Sequence, residues 1–285
     1  MKKTNIEKIS EYKNQYSQLC HASNILKKYD DGQKTDKLLL IIDKYIVFLE
    51  GNLNLVGFSD SIIKKRVKLL NDYYNFIHNN GLDNLFSSQG KFRPTILEEF
   101  LFLLFKDFVS KYQNALEAKD YLESGSVKAY SNLYIKAKSF EEFVTDPEIS
   151  VNEKDQDFAI YRKFVLSFNG DKKVKLQVPA VAIEAKTFID KTMLDGIIAA
   201  AEKVKSGNPY SMFVSATETY DVSFGVDPAY SRIDQIYVLR KTTRKAKWSD
   251  IAEDVVLRMF HEIKAHLERP WSDVHNRLTQ DGVII

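Results

Sequence analysis

Residues 157–186 read DFAIYRKFVLSF, NGDKK and VKLQVPAVAIEAK: two apolar, β-rich runs divided by a polar break that contains glycine. Runs of this composition and length read as strands, here 157–168 and 174–185, and Asn169-Gly170 between them is a strong hairpin signal. The second strand ends by putting out Glu184 and Lys186. Residues two apart on a strand face the same side, so the acid and the base address one site.

Glu-x-Lys occurs four times in the chain, beginning at Glu11, Glu117, Glu184 and Glu262. The other three lie in helical or polar contexts, where residues two apart point in different directions and mark a solvated face. The hairpin supplies a third member. A two-residue turn centred on Asn169-Gly170 pairs Asp157 with Ala182, diagonal to Glu184; one centred on Gly170-Asp171 pairs Asp157 with Glu184 itself. A three-residue loop moves Asp157 to the opposite face, so the constellation depends on the turn. Asp155 has the same parity and is the reserve.

Two carboxylates side by side repel, and burying them is costly without a cation. A pair of hard oxygen donors suits Mg²⁺, which accepts one or two carboxylates together with phosphate oxygens. Lys186 would then orient water or stabilise charge at phosphorus, and the chemistry is metal-assisted hydrolysis of a phosphodiester. The plain alternative is a salt bridge between Lys186 and Glu184 at a strand end.

Upstream of the hairpin the pattern is helical, with helices expected near 6–29, 36–49, 60–79 and 95–111. In the last, Pro94 suits the first turn, Thr95 can cap, and apolar positions run almost all the way round, as in a helix buried mid-molecule. From Tyr130 strands alternate with helices: a strand at 130–138, a Ser139–Glu142 capping box, the hairpin, a helix at 190–205, strands at 210–218 and 233–240, and a closing helix at 249–267.

The chain has 285 residues, 44% of them hydrophobic and 28% charged, which excludes a disordered or collagen-like protein. A formal charge of +2 decides nothing about partners. One cysteine, Cys20, rules out an internal disulfide and a cysteine-rich zinc site. No export signal follows the basic N-terminus, and the longest apolar runs fall short of the roughly 20 residues that span a bilayer. HEIKAH (261–266) spaces its histidines too widely for a zinc helix. The basic stretches KKRVK (64–68), NGDKKVK (169–175) and RKTTRKAK (240–247) could hold phosphates or be solvated.

DFAI (157–160) followed by EAK (184–186) resembles the motif of the PD-(D/E)xK nucleases. With ILEEF (96–100), KDQDF (154–158), VPAVAIEAK (178–186), MLD (193–195), AEKVK (201–205), PY (209–210) and IYVLR (236–240), the text resembles the subunits of heterodimeric type II restriction endonucleases of the BbvCI family. The resemblance covers roughly residues 91–268. No proline precedes Asp157, a departure shared by many members of the fold.

The resemblance implies an α/β restriction-endonuclease-like core, in a nuclease domain over 91–285; the helical region over 1–90, where the resemblance is thin, is expected to serve dimerisation or DNA contact. It implies a bacterial, cytoplasmic enzyme with no membrane association that uses Mg²⁺ on double-stranded DNA. A second, related subunit would cut the other strand of an asymmetric, CCTNAGC-like site, and the chain alone could pair with itself. Asp157 and Glu184 match the metal-binding acids, Lys186 the catalytic lysine, and Glu98 a supporting acid, a role Glu99 could equally fill. Two other readings stay open: a repair or junction nuclease, and a DNA-binding module whose acids and lysine form only a salt bridge.

Overall fold

Two strips of apolar side chains on opposite faces of one sheet organise the chain. The structure is a computed structural model that describes residues 4–33, 35–82, 92–168, 172–269, 271 and 274–282. In order it runs α1 (Asn5–Gln15), α2 (Cys20–Asp30), α3 (Asp36–Asn54), α4 (Asp60–Asn79), α5 (Phe92–Ala115), β1 (Leu122–Lys136), α6 (Phe140–Thr145), β2 (Glu148–Phe168), β3 (Lys172–Ile189), α7 (Lys191–Gly207), β4 (Met212–Tyr220), β5 (Gln235–Val238) and α8 (Glu253–Glu268).

The strands form one sheet in the order β1-β2-β3-β4-β5. β1, β2 and β3 are antiparallel neighbours, whereas β3, β4 and β5 run parallel. Parallel neighbours need a crossover, which α7 provides between β3 and β4. One face of the sheet, through Phe158, Ile160, Ile183, Ala185, Val214 and Ala216, shares a core with α5, α8 and the N-terminal helices. Phe105 of α5 sits there between Phe158 and Phe260, at centroid distances of 5.7 and 5.2 Å. The other face, through Ala159, Tyr161, Ala182 and Phe213, packs on Leu194, Ile197, Ala201 and Val204 of α7.

The mixed α/β class and the deeply buried fourth expected helix are as the sequence predicts. The single helix expected over 6–29 is instead two. The break is set from a distance: the N–H groups of His21 and Ala22, in the first turn of α2, donate to Glu99 Oε2 at 2.9 and 3.0 Å. A helix start leaves such donors unpaired unless something caps them, and here the cap comes from α5. Thr95 does not cap α5; its hydroxyl donates to the Phe92 carbonyl inside that helix.

β1 and β2 also begin earlier than expected. Residues 148–155 of β2 pair only with β1 and are exposed or half-exposed throughout, whereas Ala129 and Ser131 on the facing stretch of β1 are buried. With none of its own positions buried, this half of β2 carries no sustained apolar alternation to read. Arg66 of KKRVK is buried, donating to the Asn52 and Leu55 carbonyls and pairing with Asp107 at 2.8 Å, while Lys64 and Lys65 are solvated. No helix among the described residues is long and apolar enough to cross a membrane.

Glu99 also accepts from the Tyr45 hydroxyl at 2.6 Å and is fully buried. Burial pushes its carboxyl up to about 7, against the lowering effect of these three donors. Because the folded form holds the proton more tightly than the unfolded chain, this contribution to stability is complete below the ordinary range near 4.5 and fades as pH rises through about 7. Glu99→Ala, which orphans three donors, is expected to cost about 3 kcal/mol in denaturant unfolding. Glu99→Gln should cost far less and flatten the decline between pH 5 and 8; an unchanged decline would contradict the assignment.

Candidate active site

β2 and β3 pair regularly from Phe168↔Lys172 to Tyr161↔Pro179, a register that leaves three residues in the connection. The expected Asn169-Gly170 turn lies outside the described residues. Continued unchanged, this register would set Asp157 against Ile183 and turn it away from Glu184. Between Tyr161 and Ile160 the register shifts: Ile160 pairs with Val181, and Ala180 is passed over as a bulge. Pairing ends at Phe158↔Ile183. One step on, Asp157 and Glu184 face each other across a fork where β2 leaves with β1 while β3 continues with β4.

At the fork Lys186 Nζ donates to Asp157 Oδ2 and to Glu184 Oε2, each at 2.7 Å. The Ala185 N–H, which has no carbonyl of β2 to meet here, donates to Asp157 Oδ2 at 2.9 Å. Glu184 is fixed on its other side as well, because the Ser215 hydroxyl of β4 donates to its carbonyl at 3.1 Å. The side chains of Asp157 and Lys186 are 28% and 29% exposed and that of Glu184 only 8%, so the acid furthest from water has its charge balanced by a lysine that solvent can reach.

Burial and the neighbouring Asp157 carboxylate hold Glu184 above the ordinary carboxylate range, and Lys186 offsets part of this. Burial alone would lower Lys186, but Asp157 and Glu184 outweigh it and keep the ammonium protonated above its ordinary range. The site thus offers two carboxylates and a firmly charged donor on one face, with Asp157 and Lys186 reachable by solvent.

Of the residues singled out in the sequence, the structure brings together Asp157, Glu184 and Lys186. Asp155 lies two residues further out, exposed, on the early half of β2. Glu98 is half-buried on α5, seven residues before Phe105 and so on the same helix side, which packs against the sheet face opposite the fork. Glu99 is occupied by Tyr45, His21 and Ala22. Among the described residues no three His, Cys, Asp or Glu side chains gather where they could hold a metal ion. The two carboxylates of the fork are nonetheless hard oxygen donors of the kind that binds Mg²⁺ jointly with phosphate and water.

A second constellation was not read from the sequence. Fully buried Glu218 of β4 pairs with Arg93 of α5 and with Arg240, both at 2.8 Å, and Arg240 lies 3.8 Å from the centre of the Trp248 ring. The polar letters of SATETY (215–220), within an otherwise buried strand, were its only signal.

A mixed five-stranded sheet with helices on both faces, and two acids and a lysine at a strand fork, define a restriction-endonuclease-like nuclease fold. Residues 89–249 match the family model of the Bpu10I restriction endonucleases, and the chain belongs to that family: it is a type II site-specific deoxyribonuclease subunit. Its structure is similar to a chain of the native BbvCI A2B2 tetramer, with a TM-score of 0.70 at 20% identity over 88% of this chain and 95% of that one. No curated protein matches the chain in sequence.

Selective carboxyl labelling with NMR titration should place the Glu184 midpoint above the ordinary range near 4.5, and Asp157→Asn should bring it down by removing the adjacent charge. A Glu184 midpoint unmoved by that substitution would show that the two carboxylates do not interact.

Proposed function

We propose that the fork is the hydrolytic centre with which this chain cuts one strand of double-stranded DNA, Asp157 and Glu184 holding Mg²⁺ and Lys186 acting beside them. The observation that carries this reading is the convergence of both carboxylates on one lysine at a place where pairing stops and solvent has access. A purely structural ion pair gains little where its lysine stays in water and two acids must be kept apart.

A bound Mg²⁺ would draw negative charge from the phosphodiester oxygens and make a water molecule beside them more acidic. Glu184 must be ionised to take part, so cleavage should rise with pH through its elevated titration. Lys186 remains protonated next to the acids and serves as a donor: Asp157 and Glu184 take two of its three N–H bonds, and the third can orient the attacking water or meet charge developing on phosphorus. The Ala185 N–H and the Ser215 hydroxyl keep the acids in place without reorganisation.

A related second subunit would cut the opposite strand of an asymmetric site, in line with the two kinds of chain in the A2B2 assembly of BbvCI. The helical region over residues 1–90 would contribute contacts to that partner or to DNA.

Glu184→Ala in this chain, assembled with an unaltered partner, is expected to nick supercoiled plasmid without linearising it. Full double-strand cleavage at the normal rate would contradict the assignment. Loss of all cutting would mean that a single kind of chain supplies both sites.

A further inference from the structure

Immediately beyond Lys186 the end of β3 opens into a cleft of about 420 Å³ that the hydrolytic centre does not use. Thr187 and Phe188 form one wall, and residues from 240–249 form the other. Arg93, Arg240, Arg244 and Lys247 line it together with the hydroxyls of Thr242 and Thr243, and among the described residues no carboxylate does. Glu218, behind the lining, balances the charge of one arginine. The cleft therefore keeps a surplus of positive charge in a chain whose total is only +2.

The cleft is also built rather than a chance run of surface lysines. Lys241 adopts a left-handed backbone (φ 51°), one of two non-glycine residues to do so among those described, and this turns the chain between Arg240 and Thr242. Such conformations persist where surrounding contacts impose them. Here the Lys241 N–H donates to the Val238 carbonyl at 3.0 Å, and the Thr242 carbonyl accepts from the Tyr220 N–H at 3.1 Å. Arg244 is laid over the Phe188 ring at 4.0 Å, which holds its guanidinium two residues along the strand from Lys186. At about 3.3 Å per strand residue, that is roughly 7 Å of backbone. Arg240 is immobilised between Trp248 and Tyr74, so the cleft floor is rigid.

We propose that this cleft grips a backbone phosphate of the bound DNA next to the scissile one, with Arg244 and Lys247 as the contacting cations and Thr242 and Thr243 as neutral donors. The inference rests on the fork being the hydrolytic centre, for it gives the cleft the task of setting the strand's position relative to Lys186. Phosphate contacts fix register and carry no base information, so the grip acts equally on all sequences.

The test is the paired substitution Arg244→Ala with Lys247→Ala, both exposed positions whose loss leaves the core intact. Binding of the full-length protein to a short random-sequence duplex is followed by anisotropy, in chelator and across a salt series. The variant should bind about tenfold more weakly at low salt, with the slope of log affinity against log salt reduced by about 1 to 2, as for one or two lost phosphate contacts. Removing the same charge on α8, by Arg258→Ala with Lys264→Ala, should leave both quantities nearly unchanged. Unaltered affinity and slope in the cleft variant, or an equal loss in the α8 variant, would overturn the proposal. Because no divalent metal is present, the result does not depend on Asp157 and Glu184 being the hydrolytic acids.

Discussion

The fork depends on one extra residue in β3. Without the bulge at Ala180 the register set by the hairpin end would point Asp157 to one face of the sheet and Glu184 to the other. With it, both acids come to the α7 face at the last position where β2 and β3 are still neighbours. The same residue thus decides that two carboxylates meet and that they meet where the sheet opens. Bulges next to active sites commonly re-aim a side chain or end a pairing; this one does both.

Meeting creates an electrostatic problem, and the molecule solves three versions of it differently. Glu99 is fully buried among neutral donors, two backbone N–H groups and a tyrosine hydroxyl, and its affinity for a proton rises accordingly. Glu218 is equally buried but held by two arginines, both lying over the Trp248 indole. Both carboxylates are sealed from water, and the contacts they make join the N-terminal helices and α5 to the rest of the chain. Glu184 is buried against a second acid, and its compensating cation is a lysine with access to water. Of the three carboxylates, only this one stands where another cation could take over part of the compensation without dismantling the core.

The central hairpin, its acids and its lysine were legible in the sequence because strand periodicity and parity carry them: Glu184 and Lys186 had to share a face. The register that joins Asp157 to them was legible only as a set of alternatives; Pro179, which cannot donate to the ladder of a central strand, is a local sign of the bulge at Ala180 that went unread. The break between α1 and α2 was invisible because its cap, Glu99, is 78 residues away from the His21 N–H it satisfies. The early half of β2 was missed because none of its positions is buried, and that of β1 because LESGSVKA (122–129) buries mainly small residues, Ser124, Gly125 and Ala129, that spell no β-rich apolar run. The resemblance of the text around the acids and lysine to a restriction endonuclease family is borne out by the match over residues 89–249.

The central claim is that the two acids of the fork form a cation site from which Lys186 withdraws part of its contact. A crystal of the chain soaked in Mn²⁺, a readily visualised substitute for Mg²⁺, tests this through anomalous scattering. The account predicts a peak within bonding distance of both Asp157 and Glu184, with Lys186 Nζ moved off at least one carboxylate from its present 2.7 Å contacts. An undisturbed Lys186 bridge with no peak at the fork, while Mn²⁺ occupies other carboxylates in the same crystal, would contradict it.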